Sequence, residues 1–372
     1  MKLMHLSDLH LGKRLYEYSL LDDQRHILNQ ILDLADREKP RAIVIAGDIY
    51  DKSTPPAEAV ALFDEFLCRL AQPGRDLFVI SGNHDSAERI AFGGRLMGGS
   101  GVHVSPVYSK AVQPIALDGR FDFYMLPFLK PAVARERHPD REIANYTDAV
   151  RAAIDEMPMR EGHVRILIAH QFVTGAAPSD SEEISVGDAG NVDASVFAPF
   201  HYVALGHIHG SQNISSPRVR YCGTPLAYSV GEGRRERTVT IAELDESGAL
   251  EIRELPLAPL RRMRALRGTF SEVFALPDAP RGDYVEITLT DEEDVPEAFA
   301  RLRAVYPYML RLNYDNARTR AQSRIEDAAD IEEKTPLQLF GELFEMQNGR
   351  PMTNSQRAII TQMIEQIEEE RA

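Results

Sequence analysis

The chain has 372 residues, too many for one ordinary domain and enough for a large domain followed by a smaller one. Hydrophobic residues make up 44% and charged residues 27%, a globular balance, and no apolar run reaches the roughly 18 residues of a membrane span. A net charge of −15 argues, taken alone, against a nucleic-acid partner, which calls for a basic surface. Two arginine stripes stand against that average: Arg261, Arg262, Arg264 and Arg267, and Arg234, Arg235 and Arg237. Cys68 and Cys222 are the only cysteines, without a CxxC pair. Both read as small core residues in a chain suited to a reducing cytoplasm. The first residues run straight into a strand-like segment, which leaves no room for a removable leader.

In chain order, residues 2–7 predict a strand and 22–39 a helix, with Ile27, Leu28, Ile31, Leu32 and Ala35 at helical spacing and Pro40 closing it. Residues 42–46 are continuously apolar, as in a strand buried on both faces. A second amphipathic helix follows over 56–70 and a third buried strand over 77–80. This β-α-β-α-β alternation predicts an α/β layered core. Residues 102–104, 112–117 and 121–126 read as antiparallel strands, 145–157 as a helix, and 164–169 and 202–205 as buried strands. Residues 175–191, rich in Gly, Ser, Asp and Ala, read as a mobile loop. Segments 238–244 and 249–255 alternate as a terminal hairpin.

A boundary is expected near Pro256 to Pro259. Beyond it, strands at 263–270, 284–289 and 309–314 and a helix at 296–305 predict a small α+β module. Residues 317–333 read as a polar linker. Two helices are expected to end the chain, at 336–347 and 353–370. The first carries an apolar side of Leu337, Leu339, Phe340, Leu343 and Phe344; the second carries Ile359, Ile360, Met363, Ile364 and Ile367.

Five short segments carry the chemistry: Asp8-Leu9-His10, Gly47-Asp48, Gly82-Asn83-His84-Asp85, His170 and Gly206-His207-Ile208-His209. Each follows directly on a strand-like run, and ligands of open α/β sheets collect at the carboxyl ends of strands. Each segment alone is a weak signal, since a turn or a core histidine accounts for it. Five in one order at strand ends converge on one edge and supply donors for two metal ions. Mixed carboxylate, imidazole and amide donors suit manganese, iron or zinc better than calcium. Asp48 is the candidate carboxylate shared between the ions, which two-metal phosphoryl-transfer sites hold about 3.5–4 Å apart. Such ions would also place positive charge where phosphate binds, despite the acidic whole. His5, His26, His103, His138, His163 and His201 match none of these segments and read as structural.

These five segments resemble the pattern of the calcineurin-like metallophosphoesterase superfamily. The longer stretches Asp8-Leu9-His10-Leu11-Gly12, Gly47-Asp48-Ile49-Tyr50-Asp51 and Gly82-Asn83-His84-Asp85-Ser86 are similar to its SbcD branch, the bacterial relatives of the Mre nucleases. So are Ser179-Asp180-Ser181-Glu182 and Gly223-Thr224-Pro225-Leu226, while residues 231–237 are richer in Gly and Arg than that branch. The resemblance implies an α/β fold: a four-layer β-sandwich flanked by helices over residues 1–258, a small α+β capping domain for DNA over 259–316, and a helical tail over 317–372. It implies one metal on Asp8, His10, Asp48 and His209, and a second on Asp48, Asn83, His170 and His207. His84 would contact the phosphate and help the leaving oxygen, with Asp85 orienting its ring. It further implies manganese dependence, a homodimer, a cytoplasmic and nucleoid-associated location, and partnership with SbcC, an SMC-like ATPase. The substrate would be DNA, at duplex ends and hairpins. A phosphoesterase for small molecules or phosphoproteins is the competing reading, and it needs neither the module beyond Pro259 nor the tail. A non-catalytic scaffold would lack a ligand, and none is missing.

Overall fold

The computed structural model describes residues 1–109, 111–179, 181, 191–317 and 319, with positions 340, 341, 344, 345, 351–353, 355–357, 359–361 and 363. The loop expected over 175–191 therefore lies in part outside the described residues, as do the linker over 317–333 and much of the two terminal helices.

Two six-stranded sheets make the core of the chain. The first runs in the order Leu250–Leu257, Arg237–Leu244, Lys2–Leu6, Ala42–Ala46, Asp76–Ile80, Val102–Val104. The second runs Gln212–Ile214, Ser216–Tyr221, Tyr202–Gly206, Val164–His170, Phe121–Leu126, Ile115–Leu117. The sheets pack face to face through Leu3, Val44, Phe78 and Ile80 on one side and Phe123, Ile166, Ile168 and Tyr202 on the other. Phe78 and Phe123 stack across this interface at 4.2 Å. Strands with both faces covered have no polar side, which is why 42–46 reads as an unbroken apolar run and 164–169 is interrupted only by Arg165.

Helices cover the outer faces. Leu21–Glu38 and Ala57–Leu70 lay Ile27, Ile31, Leu62 and Phe66 against the first sheet. Pro131–Arg137 and Tyr146–Asp155 lay Ala134, Val150 and Ala153 against the second. The result is the four-layer sandwich flanked by helices. Among the described residues no helix is long and apolar enough to cross a membrane.

A third sheet contains Met263–Gly268, Tyr284–Leu289 and Met309–Tyr314 in that order. By contact density the chain divides into two compact units, one of residues 1–266, 273–287 and 297–312, the other of 267–272, 288–296 and 313–372. In the first, the buried Asp23 carboxylate accepts from Arg261 at 2.8 Å and from the Tyr284 hydroxyl at 2.9 Å. In the second, Thr290 N donates to Gly268 O at 3.0 Å and Phe270 N to Asp291 Oδ2 at 2.7 Å.

Three sequence expectations change. Val102–Val104 is not antiparallel to its neighbours in the chain; it pairs parallel with Asp76–Ile80 at the edge of the first sheet. Cys68 is exposed and only Cys222 is buried, because Cys68 lies off the stripe of Ala59, Leu62, Phe63, Phe66 and Leu70 that faces the sheet. Arg237 is buried rather than part of a surface stripe.

Gly206 shows how tightly the sheets approach. A Cβ there would stand 1.9 Å from Ala46 O and 2.7 Å from His170 Nδ1. Gly206→Ala is expected to destabilise the protein by at least the about 1–3 kcal/mol typical of overpacking. Gly282→Ala, with nothing within 4 Å, is expected to be near neutral. Urea unfolding of both variants checks this, and equal midpoints would contradict the close approach.

Candidate metal centre

The site grows out of strand ends. Lys2–Leu6 pairs parallel with Ala42–Ala46, and that with Asp76–Ile80. The loops beyond the first two stay paired: Asp8 N donates to Gly47 O and His10 N to Asp48 O, each at 3.0 Å. In the second sheet Val164–His170 and Tyr202–Gly206 are parallel neighbours, with Gly206 opposite His170. Five strands thus deliver their following residues to one edge.

The backbone there is strained. Asp8, His10, Asp48 and His207 have φ of 53°, 43°, 49° and 106°, the left-handed region that side chains disfavour. Such conformations cost on the order of 1–3 kcal/mol each and persist where surrounding structure enforces them.

The structure brings all seven expected ligands together. Asp8, His10 and His209 offer donor atoms within 4.8 Å of one another, as do His10, Asp48 and His84, and Asp8, Asp48 and His170. His10 Nε2 and His209 Nε2 are 3.2 Å apart. Asn83 Oδ1 lies 2.9 Å from both His170 Nε2 and His207 Nδ1. Asp48 Oδ2 stands between the groups, 3.7 Å from His10 Nε2 and 3.3 Å from His170 Nε2. Ligand atoms around one ion with bonds of about 2.1 Å sit roughly 3–3.4 Å apart, so these spacings suit direct coordination.

Two histidines are oriented from behind. His170 Nδ1 donates to Ala46 O at 2.8 Å, which leaves Nε2 bare toward the cluster. His209 Nδ1 lies 3.0 Å from Glu232 Oε1 and 2.7 Å from Ser181 Oγ, with the same effect. Phe128 stacks on His207 at 6.4 Å, and Tyr228 meets His10 edge-on at 5.4 Å. Gln24 Nε2 donates to His10 O at 2.7 Å.

The electrostatics ask for a cation. Burial, and then the charge of Asp48, push Asp8 up to about 6 against the pull of His170. Asp48 is held far below the usual carboxylate range: burial opposes its ionisation, and His170, His10 and His84 outweigh burial. His170 is pushed up to about 9, burial opposing and Asp48 prevailing. His207 is lowered to about 3 by loss of solvent and by His170. Asp8 and Asp48 are almost fully buried with no lysine or arginine against them among the described contacts. Buried carboxylates in this state need paired charge, and a set of oxygen and imidazole donors without sulfur fits hard-to-borderline divalent ions. When bound, such ions polarise a phosphoryl oxygen and lower the pKa of water.

His84 is half-buried beside the expected ligands, its donor atom within 4.8 Å of those of His10 and Asp48. Its Nε2 is 4.0 Å from Asp48 Oδ2, farther than His10 or His170, and its Nδ1 is 3.0 Å from Asp51 O. Its backbone N donates to Asp48 Oδ1 at 2.9 Å. The expected contact from Asp85 to this ring is corrected. The Asp85 carboxylate accepts instead from the backbone N–H of Gly82 at 2.9 Å, Tyr50 at 3.0 Å and Ile49 at 3.1 Å. It ties the Gly82 loop to the Gly47 loop, and Asp51 O orients the imidazole.

Glu232 and Asp51 were not singled out in the sequence. Glu232 sits in the Gly- and Arg-rich segment 231–237, where nothing in the spacing marks it. Its pKa falls to about 2: burial opposes ionisation, and hydrogen bonding to His209 and the charges of His209 and Arg237 prevail. The other six histidines stay out of the cluster. His5 Nδ1 meets Tyr202 OH at 2.9 Å, His103 Asp76 at 2.7 Å and His138 Tyr108 at 2.7 Å. His163 Nδ1 lies 3.2 Å from Asp122, and His201 Nδ1 accepts from Arg165 N at 3.0 Å; His26 is on the helix Leu21–Glu38.

Residues 1–211 match the family model of the calcineurin-like phosphoesterases, and the chain belongs to that family. It is a metal-dependent phosphoesterase. Residues 259–348 match a second model, described as the type 5 capsule protein repressor C-terminal domain. The SbcD subunit of the SbcCD nuclease from Staphylococcus epidermidis is 31% identical over 319 residues, 84% of this chain and 85% of that protein. That places the chain in the SbcD branch. Two solved structures are distantly similar, each 13% identical over 68% of this chain. One is a dimetal phosphatase from Danio rerio (95% of that chain, TM-score 0.41) and the other TT1561 of Thermus thermophilus (98% of that chain, TM-score 0.37).

If Asp48 serves both ions, Asp48→Ala is expected to bind less metal than Asp8→Ala or His207→Ala. Elemental analysis of the three purified variants checks it. Two full equivalents in Asp48→Ala would overturn the shared-ligand assignment.

Proposed function

We propose that this chain is the DNA nuclease subunit of an SbcCD-type complex, using two divalent ions, manganese first among them, to hydrolyse phosphodiesters. The activities would be 3′–5′ exonuclease on duplex ends and endonuclease on hairpins and single strands, in the cytoplasm at the nucleoid. The observation that carries this reading is the extent of similarity to the staphylococcal protein. It covers 84% of the chain and so continues past the phosphoesterase region 1–211. A small-molecule esterase has no use for the added module. In this reading residues 1–258 do the chemistry, 259–316 cap the DNA, and 317–372 reach the ATPase partner.

Asp8, His10, Asp48 and His209 would hold one ion, and Asp48, Asn83, His170 and His207 the other. Hydrolysis breaks one P–O bond of the diester and gives a phosphomonoester and a hydroxyl. His84, half-buried beside His10 and Asp48 with its Nδ1 at Asp51 O, is the residue to hand a proton to the departing oxygen. Asp85 then supports catalysis through the backbone of both loops rather than through the His84 ring.

The DNA contacts need revision from the sequence expectation. Arg261 pairs with Asp23, Arg264 with Asp283 at 2.6 Å and Arg267 with Asp315. Of that stripe, only the Arg262 side chain has no acidic partner among the described residues. It lines a cavity of about 440 Å³ with Arg234 and Arg235, and these three arginines are the better candidates for a phosphate backbone.

His84→Ala is expected to lower turnover on duplex DNA by about 100-fold or more, within the range for losing a general acid, with metal content unchanged. Cleavage of a labelled hairpin duplex with manganese, plus elemental analysis, checks both. Metal depletion would make His84 a ligand, and no cleavage by the parent protein, with and without SbcC, would overturn the nuclease reading.

Two surfaces support the partner assignments. Phe92 and Leu96 are 86% and 87% exposed on the segment after the Gly82 loop, a face for a second copy of the chain. Phe340, Ile359 and Met363 are exposed in the tail, where a helix-in-groove contact with SbcC is expected. Light scattering should find Phe92→Asp/Leu96→Asp monomeric, and co-purification should fail for a chain ending at residue 334. A dimeric double variant, or SbcC retained by the shortened chain, would remove the respective assignment.

A further inference from the structure

Glu232 is a buried carboxylate beside the cluster that belongs to neither ligand group. Its Oε1 faces His209 Nδ1 at 3.0 Å and accepts from Ser179 Oγ at 2.9 Å and from Ser181 Oγ. Its Oε2 accepts from Tyr228 N at 2.9 Å and Arg237 Nη2 at 3.1 Å. A carboxylate offers about four lone-pair directions, so these five donors occupy it fully. Arg237 holds the same histidine from the other side, donating to His209 O at 2.7 Å and to Thr224 Oγ1 at 3.0 Å.

The consequence falls on one nitrogen. A neutral imidazole carries one N–H and one bare nitrogen, and the partner of the first decides where the second points. With Nδ1–H directed at Glu232 and Ser181, His209 Nε2 is left bare 3.2 Å from His10 Nε2, in the group with Asp8. His170 is fixed in the same sense by a neutral carbonyl, Ala46 O. His209 alone of the two has an anion behind it, which raises the basicity of the coordinating nitrogen.

We propose that Glu232 is the positioning residue of the metal centre: it fixes the tautomer and strengthens the donor of His209, and ties that histidine to Ser179 and Ser181. It touches neither substrate nor reacting atoms. Its influence would fall on the ion assigned to Asp8, His10, Asp48 and His209. The ion assigned to Asp48, Asn83, His170 and His207 has Ala46 O behind His170 and would feel Glu232 only through the shared Asp48. The inference rests on the two-ion reading, which the parent protein's metal stoichiometry tests by itself.

The experiment is a manganese titration of the full chain by calorimetry, with thermal melting of the same samples, for the parent, Glu232→Gln and Glu232→Ala. Glu232→Gln keeps an acceptor of the same shape without the charge. One of two equivalents should weaken by roughly 10-fold in Glu232→Gln and up to about 100-fold in Glu232→Ala, the range for a lost partner behind a ligating histidine. The other equivalent should stay at parental affinity. Nitrogen-15 spectra of the metal-free protein should show the His209 Nδ1–H signal in the parent and its loss or exchange in Glu232→Ala. If Glu232→Ala fails to fold, Glu232→Gln carries the test. Parental affinity for both equivalents in Glu232→Gln would overturn the proposal, and so would an equal weakening of both, which would mean a general structural role.

Discussion

The constraint on which the rest depends is the burial of two carboxylates, Asp8 and Asp48, side by side at one edge of the molecule. Each is nearly inaccessible to water, and the charge of Asp48 opposes ionisation of Asp8. Both, together with His10 and His207, hold left-handed backbone conformations. Charge burial and backbone strain both oppose folding, so a chain that keeps both has a compensating source of stability. Imidazoles supply part of it, as the raised pKa of His170 against Asp48 shows. Divalent ions complete the compensation, because they offset the carboxylates without a proton and leave the histidines neutral.

Neither proposed ligand group belongs to one sheet. Asp8, His10 and Asp48 follow strands of the first sheet, and His209 follows a strand of the second. Asn83 follows the first, and His170 and His207 come with the second. Ions held as proposed would therefore also staple the two sheets together, at the end where Ala46 O meets His170 Nδ1. Close packing behind the edge makes this possible. Gly47, Gly82 and Gly206 have no room for a Cβ, and each confronts either His170 or Asp48. The glycines beside the proposed ligands thus keep the donors in place, since a side chain there would push one away.

Much of this was legible because two kinds of signal coincide in the sequence. Unbroken apolar runs mark strands covered on both faces, and the chemically rich residues fall immediately after them. Where only one signal was present, the reading failed or stopped. Val102–Val104 is too short for its pattern to declare parallel or antiparallel pairing. The hairpin Gln212–Tyr221 alternates poorly, because Arg220 is buried on Asn213 and Glu254 instead of facing water. Asp85 looks in sequence like a partner for the adjacent His84, and only the fold shows three backbone N–H groups already pointing at it. Glu232 was invisible for a related reason. A residue that orients a ligand touches it through space, here across 23 positions, and no local periodicity records that relation.

The charge distribution follows the same logic at a larger scale. The chain carries 57 acidic residues against 42 basic ones, yet its partner is proposed to be a polyanion. Many arginines are already engaged: Arg220 with Glu254, Arg237 with Glu232, Arg253 with Glu38 and Glu243, Arg261 with Asp23. Such pairs build the fold and contribute little long-range attraction, because each is nearly neutral a Debye length away. Attraction for phosphate is proposed to come from the cavity where Arg234, Arg235 and Arg262 cluster without an ion-pair partner among the described residues, and from ions at the metal site. Net charge alone pointed away from a nucleic acid because it averages over paired and unpaired groups. The number of unpaired cations around the cavity, not the total of −15, sets how many counterions a bound strand would release.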